Sequence, residues 1–268
     1  MKWRRPMEEE LERVLGCRAR RVRAYPAHQY LSQPDVSSRL VAAMFPDALG
    51  FIRMLQLADS ALPIGAAAHS FGIETLADAG ALDPSQLADF LLAWLEESGT
   101  LEALWCLEAA AAFDTGCVAP WIDLNRTISA MKPARESRAA SAVLGRRFLD
   151  LVAELAGVPL LHEFARAACD IHLAAVFGAA GRALSIAPET VAAACLHQSL
   201  AGLVSACQKL LPVGQRQASQ LLWDLKPAIL ESVRRAAGAP LAAAACFMPA
   251  VEIASMRHPW LATRLFVS

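Results

Sequence analysis

The sequence predicts an all-α protein, a single helical bundle of about eight to ten helices that follows an N-terminal extension. Hydrophobic residues make up 56% of its 268 residues and charged residues 19%. Alanine, the strongest helix former, occurs in runs at 109–112 and 242–245. The chain has only two tyrosines and few β-branched runs, which counts against an all-β fold. Apolar residues also recur at helical spacing along most of the chain.

Residues 1–48 are predicted to be an N-terminal extension that is partly disordered, and residues 49–268 to form the helical domain. Pro26, Pro34 and Pro46 would interrupt any long helix in the extension. A short helix is predicted from Leu49 to the loop at 60–65, and a second from about His69 to Ala79.

Asp83 and Pro84 are typical of a helix start, with aspartate as the N-cap and proline at the first position. The apolar residues that follow, at 87, 90, 91, 94 and 95, form one face of that helix. Further helices are predicted over 100–113, 119–132, 134–156, 160–182, 188–210 and 214–237. The short connections between them indicate antiparallel neighbours in one bundle.

Charge and cysteine content restrict the compartment and the partners. A net charge of −1 gives no field that would attract nucleic acid. Seven scattered cysteines, an odd number, do not form a disulfide framework, so a reducing, cytoplasmic location is predicted. No formal charge lies between Glu189 and Lys209, which is about the length of a membrane span. Because this stretch carries His197 and Gln198 and is rich in alanine, a buried helix is favoured and no membrane contact is predicted.

The sequence contains no motif typical of a catalytic or metal site. It lacks G-x-x-x-x-G-K-[ST], H-E-x-x-H and E-x-x-H. Cys169 and His172 stand three residues apart and could share a helix face, but zinc usually needs two such pairs. A buried thiol and a hydrogen-bonded histidine are the favoured interpretation, with a transient soft-metal contact left open. We therefore predict no catalytic residues and no metal site.

Two segments carry more specific patterns. Residues 54–65 form a leucine-rich stretch that ends in Leu-Pro-Ile-Gly, and His69-Ser-Phe-Gly-Ile-Glu74 follows. Pro63 and Gly65 predict a tight loop. Ser70 is predicted to cap the next helix, and Glu74 to place a favourable negative charge in its first turns. At the other end, Ser-Met-Arg-His at 255–258 precedes Arg-Leu-Phe-Val-Ser at 264–268.

Together these segments resemble the urease accessory protein UreF family, over residues 49–268. Weaker similarities lie in the Arg/Glu-rich helix at 136–147 and at Gly214-Gln215. The resemblance implies an all-α, non-catalytic protein, a homodimer in its complex, that bridges UreD (also called UreH) and the GTPase UreG. That assembly would deliver nickel to apo-urease, with no cofactor bound tightly by this chain. The partner-binding residues that it implies are Pro63, Gly65, His69, Ser70, Gly72, Glu74, Gly214, Gln215, Arg257, His258, Arg264, Leu265 and Phe266.

Two alternatives stay open at this point. The first is a helical metal-dependent enzyme in which His69 acts as a base near the 60–74 loop. The second concerns residues 249–268, which either order on a partner or fold back on their own bundle. The resemblance favours partner binding, and predicts that deleting 249–268 abolishes the UreD complex and leaves the helical fold.

Overall fold

The computed structural model describes residues 46–268. The predicted disorder of the N-terminal extension concerns residues 1–45, which lie outside the described residues, and stays a prediction. The last three positions assigned to that extension, residues 46–48, belong to the first helix.

Within residues 46–268 the chain forms α-helices and short helical turns, and contains no strand. The α-helices are α1 (Pro46–Leu57), α2 (Ile73–Asp78), α3 (Leu87–Trp94), α4 (Thr100–Asp114), α5 (Val118–Met131), α6 (Arg135–Ala156), α7 (Pro159–Ala165), α8 (Leu173–Ala183), α9 (Pro188–Leu210), α10 (Gln215–Asp224), α11 (Lys226–Ala237) and α12 (Pro249–Arg257). A π-helical turn, Leu95–Gly99, joins α3 to α4. The predicted all-α class is confirmed.

The centre of the bundle is the contact between α4 and α8, and α9 and α11 also pack on α4. Every residue of α8 from Ala174 to Gly181 is buried. Gly178 allows the two central helices to approach, because a Cβ atom there would overlap the main-chain oxygen of Cys106. Close approach through small residues explains why an alanine-rich sequence can still fill its core.

The helices predicted at 134–156 and 188–210 match α6 and α9 to within one residue at each end. The helix predicted at 214–237 is interrupted at Leu225. The interruption lies beside Pro227, which lacks the N–H that a continuous helix needs. Asp83 caps a turn, accepting a hydrogen bond from the Ser85 N–H at 2.7 Å, and the regular helix begins at Leu87.

By length and composition alone, α9 is apolar enough to cross a membrane, and it is the one such helix among the described residues. In the bundle it packs against α4, α8 and α11. Its buried side includes Leu196, Leu200 and Cys207. The contacts are those of a core helix in a helical bundle.

The prediction of one helix over 160–182 is wrong. The chain leaves the helical conformation between α7 and α8, at residues 166–172. The N–H of His172 donates to Oδ1 of Asn125 on α5 at 2.9 Å, in place of a helical acceptor. Gly145 on α6 provides space for this segment, because a Cβ atom there would overlap the main-chain oxygen of Ile171. Tertiary contacts therefore override helix propensity at this point.

Cys169 and His172 consequently do not share a helix face. The imidazole of His172 is buried between two hydroxyl groups, with Ser129 Oγ 2.8 Å from Nε2 and Ser141 Oγ 3.1 Å from Nδ1. Burial, and then the positive charges of Lys132 and Arg138, lower the pKa of His172 to about 3. His172 is therefore a neutral, hydrogen-bonded core residue.

This burial predicts a pH dependence of stability. Between pH 6.5 and 3 the unfolded chain protonates His172 and the folded chain does not, so the free energy of unfolding falls as the pH falls through that window. From pH 7 to pH 5 the expected loss from this residue is about 2 kcal/mol. Urea unfolding of the parent and of His172→Gln at both pH values measures it. The pKa values of His69 and His197 are also lowered, so the difference between the two proteins isolates His172. An equal pH dependence in both would contradict the assignment.

Candidate functional site

The two segments that carry the specific sequence patterns lie against each other in the structure. We call residues 62–74 the Pro-Gly loop and residues 258–268 the C-terminal segment. The N–H of Val267 donates to the main-chain oxygen of Ala68 at 2.8 Å, and the N–H of Ser70 donates to that of Ser268 at 2.5 Å. The C-terminal segment is therefore folded back on its own bundle, which is the second of the alternatives stated above for it.

Ser70 does not cap the following helix, so that prediction is wrong. The N-cap of α2 is Gly72, whose φ of 90° lies in the left-handed region. The Ser70 hydroxyl instead donates to the main-chain oxygen of Ser268 at 3.0 Å. Next to it, Nδ1 of His69 lies 2.7 Å from the Ser268 hydroxyl. Ser70 and His69 thus hold the end of the C-terminal segment, and α2 begins at Ile73 rather than at His69.

Glu74 is the central residue of this contact. Its carboxylate is buried, with Oε2 2.7 Å from Nε2 of His258. Oε1 accepts the N–H of Leu265 at 2.5 Å, and Oε2 accepts that of Phe266 at 3.3 Å. When Glu74 is ionised its carboxylate can only accept, so Nε2 of His258 is then the donor to Oε2. One buried carboxylate is therefore hydrogen-bonded to three groups of the C-terminal segment.

The two glycines of the loop have local structural roles. A Cβ atom on Gly72 would lie 2.9 Å from the main-chain oxygen of Val251, so this glycine allows α12 to pack directly on the start of α2. Gly65 has a φ of 88°, and a Cβ atom there would lie 2.7 Å from Nη1 of Arg147. That guanidinium donates to the main-chain oxygen of Ile64 at 3.2 Å. Both glycines have a positive φ and lie close to a neighbouring group, and any residue with a Cβ atom would be strained at either position.

The last four residues alternate between two faces. Leu265 and Val267 are 67% and 70% exposed, whereas Phe266 and Ser268 are 6% and 5% exposed. The ammonium of Lys209 on α9 lies 5.1 Å from the centre of the Phe266 ring and donates to the main-chain oxygen of Ala67 at 3.3 Å. The inward face is thus packed and hydrogen-bonded, and the outward face presents two aliphatic side chains to solvent.

Other large apolar side chains near this end of the chain are also exposed. They are Ile253 and Met256 on α12, and Trp260 in the turn that follows it. Arg257 and Arg264 are exposed as well. Exposed apolar side chains together with arginine are typical of a protein–protein interface.

The structure divides the predicted partner-binding residues into two groups. Ser70, Glu74, His258 and Phe266 are buried within the contact between loop and segment, Gly72 is buried against α12, and His69 is half-buried. The exposed residues are Pro63, Gly65, Gly214, Gln215, Arg257, Arg264 and Leu265. Gly214 and Gln215 lie at the start of α10 and make none of the hydrogen bonds that join loop and segment. Sequence reasoning missed Lys209 and Val267, and the alternation in Leu-Phe-Val-Ser was the signal that could have identified Val267.

The predicted tail over 249–268 is helical at its start. Residues Pro249–Arg257 form α12, which packs against α2 and α6. Ser255 is buried, with its hydroxyl 2.6 Å from that of Ser137 on α6. Deleting 249–268 would therefore remove part of the folded bundle. Testing partner binding requires substitutions of single exposed residues instead.

The surroundings of His69 bear on the alternative that it serves a metal-dependent enzyme. Burial, and then the charge of Arg147, lower the pKa of His69 below its ordinary value, so the ring is neutral at pH 7. Its Nδ1 is engaged with Ser268. Within residues 46–268, no group of three or more His, Cys, Asp or Glu side chains is placed to hold a metal ion. The described contacts of His69 are structural.

Comparison with known proteins decides the family. The UreF family model matches residues 82–226, which is more than half of the chain. The chain belongs to the UreF family. A urease accessory protein UreF from Geobacillus kaustophilus is 30% identical over 220 residues, covering 80% of this chain and 96% of that protein. The UreF of Bacillus sp. strain TB-90 is 28% identical over 81% of this chain and 98% of its own length. The UreF of Nostoc sp. is 31% identical over 81% of this chain and 96% of its own length.

The family predicted from the sequence is confirmed, and with it the assignment to accessory proteins rather than enzymes. The matched range 82–226 lies between the Pro-Gly loop and the C-terminal segment, which carry the two more specific patterns of the resemblance. The UreF assignment therefore has support independent of those patterns.

Proposed function

We propose that this UreF-family chain acts in the maturation of the urease nickel centre as a non-catalytic bridge. It binds UreD/UreH through its C-terminal segment, acts as a homodimer in the complex, and recruits the GTPase UreG, so that nickel passes to apo-urease. In this role nickel is cargo of the complex, the chain holds no tight cofactor of its own, and the site of action is the cytoplasm.

The observation that supports this function best is the outward face of the C-terminal segment. Leu265 and Val267 are held outward because Phe266 and Ser268 are held inward. A partner would therefore meet two aliphatic side chains and Arg264 on an ordered backbone. Ordering before binding lowers the entropy that association must otherwise overcome.

Omitting this chain from a co-expression of UreD/UreH, UreG and apo-urease tests the proposal. We expect urease specific activity and urease-bound nickel both to fall to the level of cells that lack the accessory proteins. Restoring the full chain on a second plasmid should recover both quantities. Equal nickel loading with and without the chain would contradict the bridge function.

A further inference from the structure

Among the described residues, Glu74 is the one whose side-chain carboxylate forms hydrogen bonds with the C-terminal segment. Its two oxygens reach the His258 ring and the N–H groups of Leu265 and Phe266. Hydrogen bonds to an ionised acceptor are about twice as strong as those between neutral groups. Burial of the carboxylate excludes water as a substitute partner.

These bonds set which way the segment faces. Adjacent N–H groups in an extended chain normally point to opposite sides, yet those of Leu265 and Phe266 both reach the same carboxylate. The backbone at this point is therefore held in a specific local conformation. In this conformation the Phe266 ring packs beside the Lys209 ammonium, and the Leu265 side chain faces solvent.

We propose that Glu74 is the positioning residue of the partner-binding surface. Its carboxylate holds the C-terminal segment in the conformation that presents Leu265 and Val267, without itself touching the partner. This inference rests on the proposed function, in which that surface binds UreD/UreH.

The test compares Glu74→Gln with a matched control in the full chain. Glu97 on the π-helical turn also accepts a main-chain N–H, that of Phe247 at 2.8 Å, but it does not contact the C-terminal segment. Hydrogen exchange of the Leu265 and Phe266 amides reports the positioning directly. We expect Glu74→Gln to lower their protection at least about tenfold, and Glu97→Gln to leave it unchanged.

Binding to purified UreD/UreH supplies the second measurement. We expect Glu74→Gln to weaken affinity by about tenfold or more, and Glu97→Gln to have no effect. If Glu74 acts through the segment, its effect and that of Leu265→Ala are not additive. The double variant should then bind within about threefold of Glu74→Gln alone. A double variant weakened by the product of the two single effects would overturn the inference, as would unchanged amide protection in Glu74→Gln.

Two further outcomes are distinguishable. If the unmodified chain does not bind UreD/UreH, the proposed partner is wrong, while the exchange measurement still shows whether Glu74 holds the segment. If Glu74→Gln does not fold, Glu74→Asp serves instead, because it keeps the charge but withdraws the oxygens by one methylene. Glu74→Asp with full protection of both amides would overturn the inference.

Discussion

Gly178→Ala is expected to lower the free energy of unfolding by about 3 kcal/mol or more, or to prevent folding. The added Cβ atom would overlap the main-chain oxygen of Cys106 and lie 3.0 Å from the Cβ atom of Ala109. The atom that this Cβ would overlap belongs to the main chain. The clash therefore cannot be relieved by rotation of a flexible side chain. The central helices α4 and α8 would have to separate, and their buried contact would be lost along its length. Urea unfolding followed by circular dichroism measures the change.

Gly202→Ala is the matched control for this prediction. Gly202 lies in α9, and a Cβ atom there meets nothing within 4 Å. Because alanine restricts the unfolded chain more than glycine and favours the helix, this variant should gain about 0.5–1 kcal/mol. Equal effects of the two substitutions would contradict the close contact between α4 and α8.

Under the proposed function, the double variant Leu265→Asp/Val267→Asp is expected to abolish binding to UreD/UreH while leaving the fold intact. Both side chains are exposed in the isolated chain, so their replacement removes no core contact. In the proposed complex each would place a carboxylate where the partner meets an aliphatic side chain, with a loss of about 2 kcal/mol or more for each residue at the centre of an interface. Co-purification and titration calorimetry with UreD/UreH measure the binding.

Leu230→Asp provides the control for charge and exposure. Leu230 on α11 is 62% exposed, close to the 67% of Leu265, and lies outside the C-terminal segment. We expect this variant to bind UreD/UreH as the parent does. Retained binding by Leu265→Asp/Val267→Asp, with an unchanged thermal unfolding curve, would rule out the outward face as the contact.

Local sequence signals predicted those helices whose ends are marked in the sequence. For α9, Pro188 marks the start, and the long uncharged run indicates a helix with a large buried side. For α6, Gly157 in the left-handed region ends the helix as a C-terminal glycine commonly does. The break at 166–172 has no comparable signal, because it depends on Asn125 and Gly145, which lie elsewhere in the chain.

In the candidate site, too, local signals predicted which residues matter and tertiary contacts decided how they are arranged. The residues of the Pro-Gly loop and of the C-terminal segment were identified from their patterns, but their arrangement was not. Ser70 has the composition of a helix cap, and only the tertiary structure shows that its hydroxyl is directed to Ser268. Glu74 was interpreted as a favourable charge near a helix start, whereas its main contacts are with residues more than 180 positions away.

The sequence by itself determined the all-α class, most helix positions and the UreF family, because helix propensity, apolar spacing and short motifs are local properties of a chain. Only the tertiary structure decided that the C-terminal segment folds back onto the Pro-Gly loop, and which of its side chains face solvent. That arrangement depends on a buried carboxylate finding its donors across the bundle. Such a pairing is selected by burial and geometry, which no local pattern records.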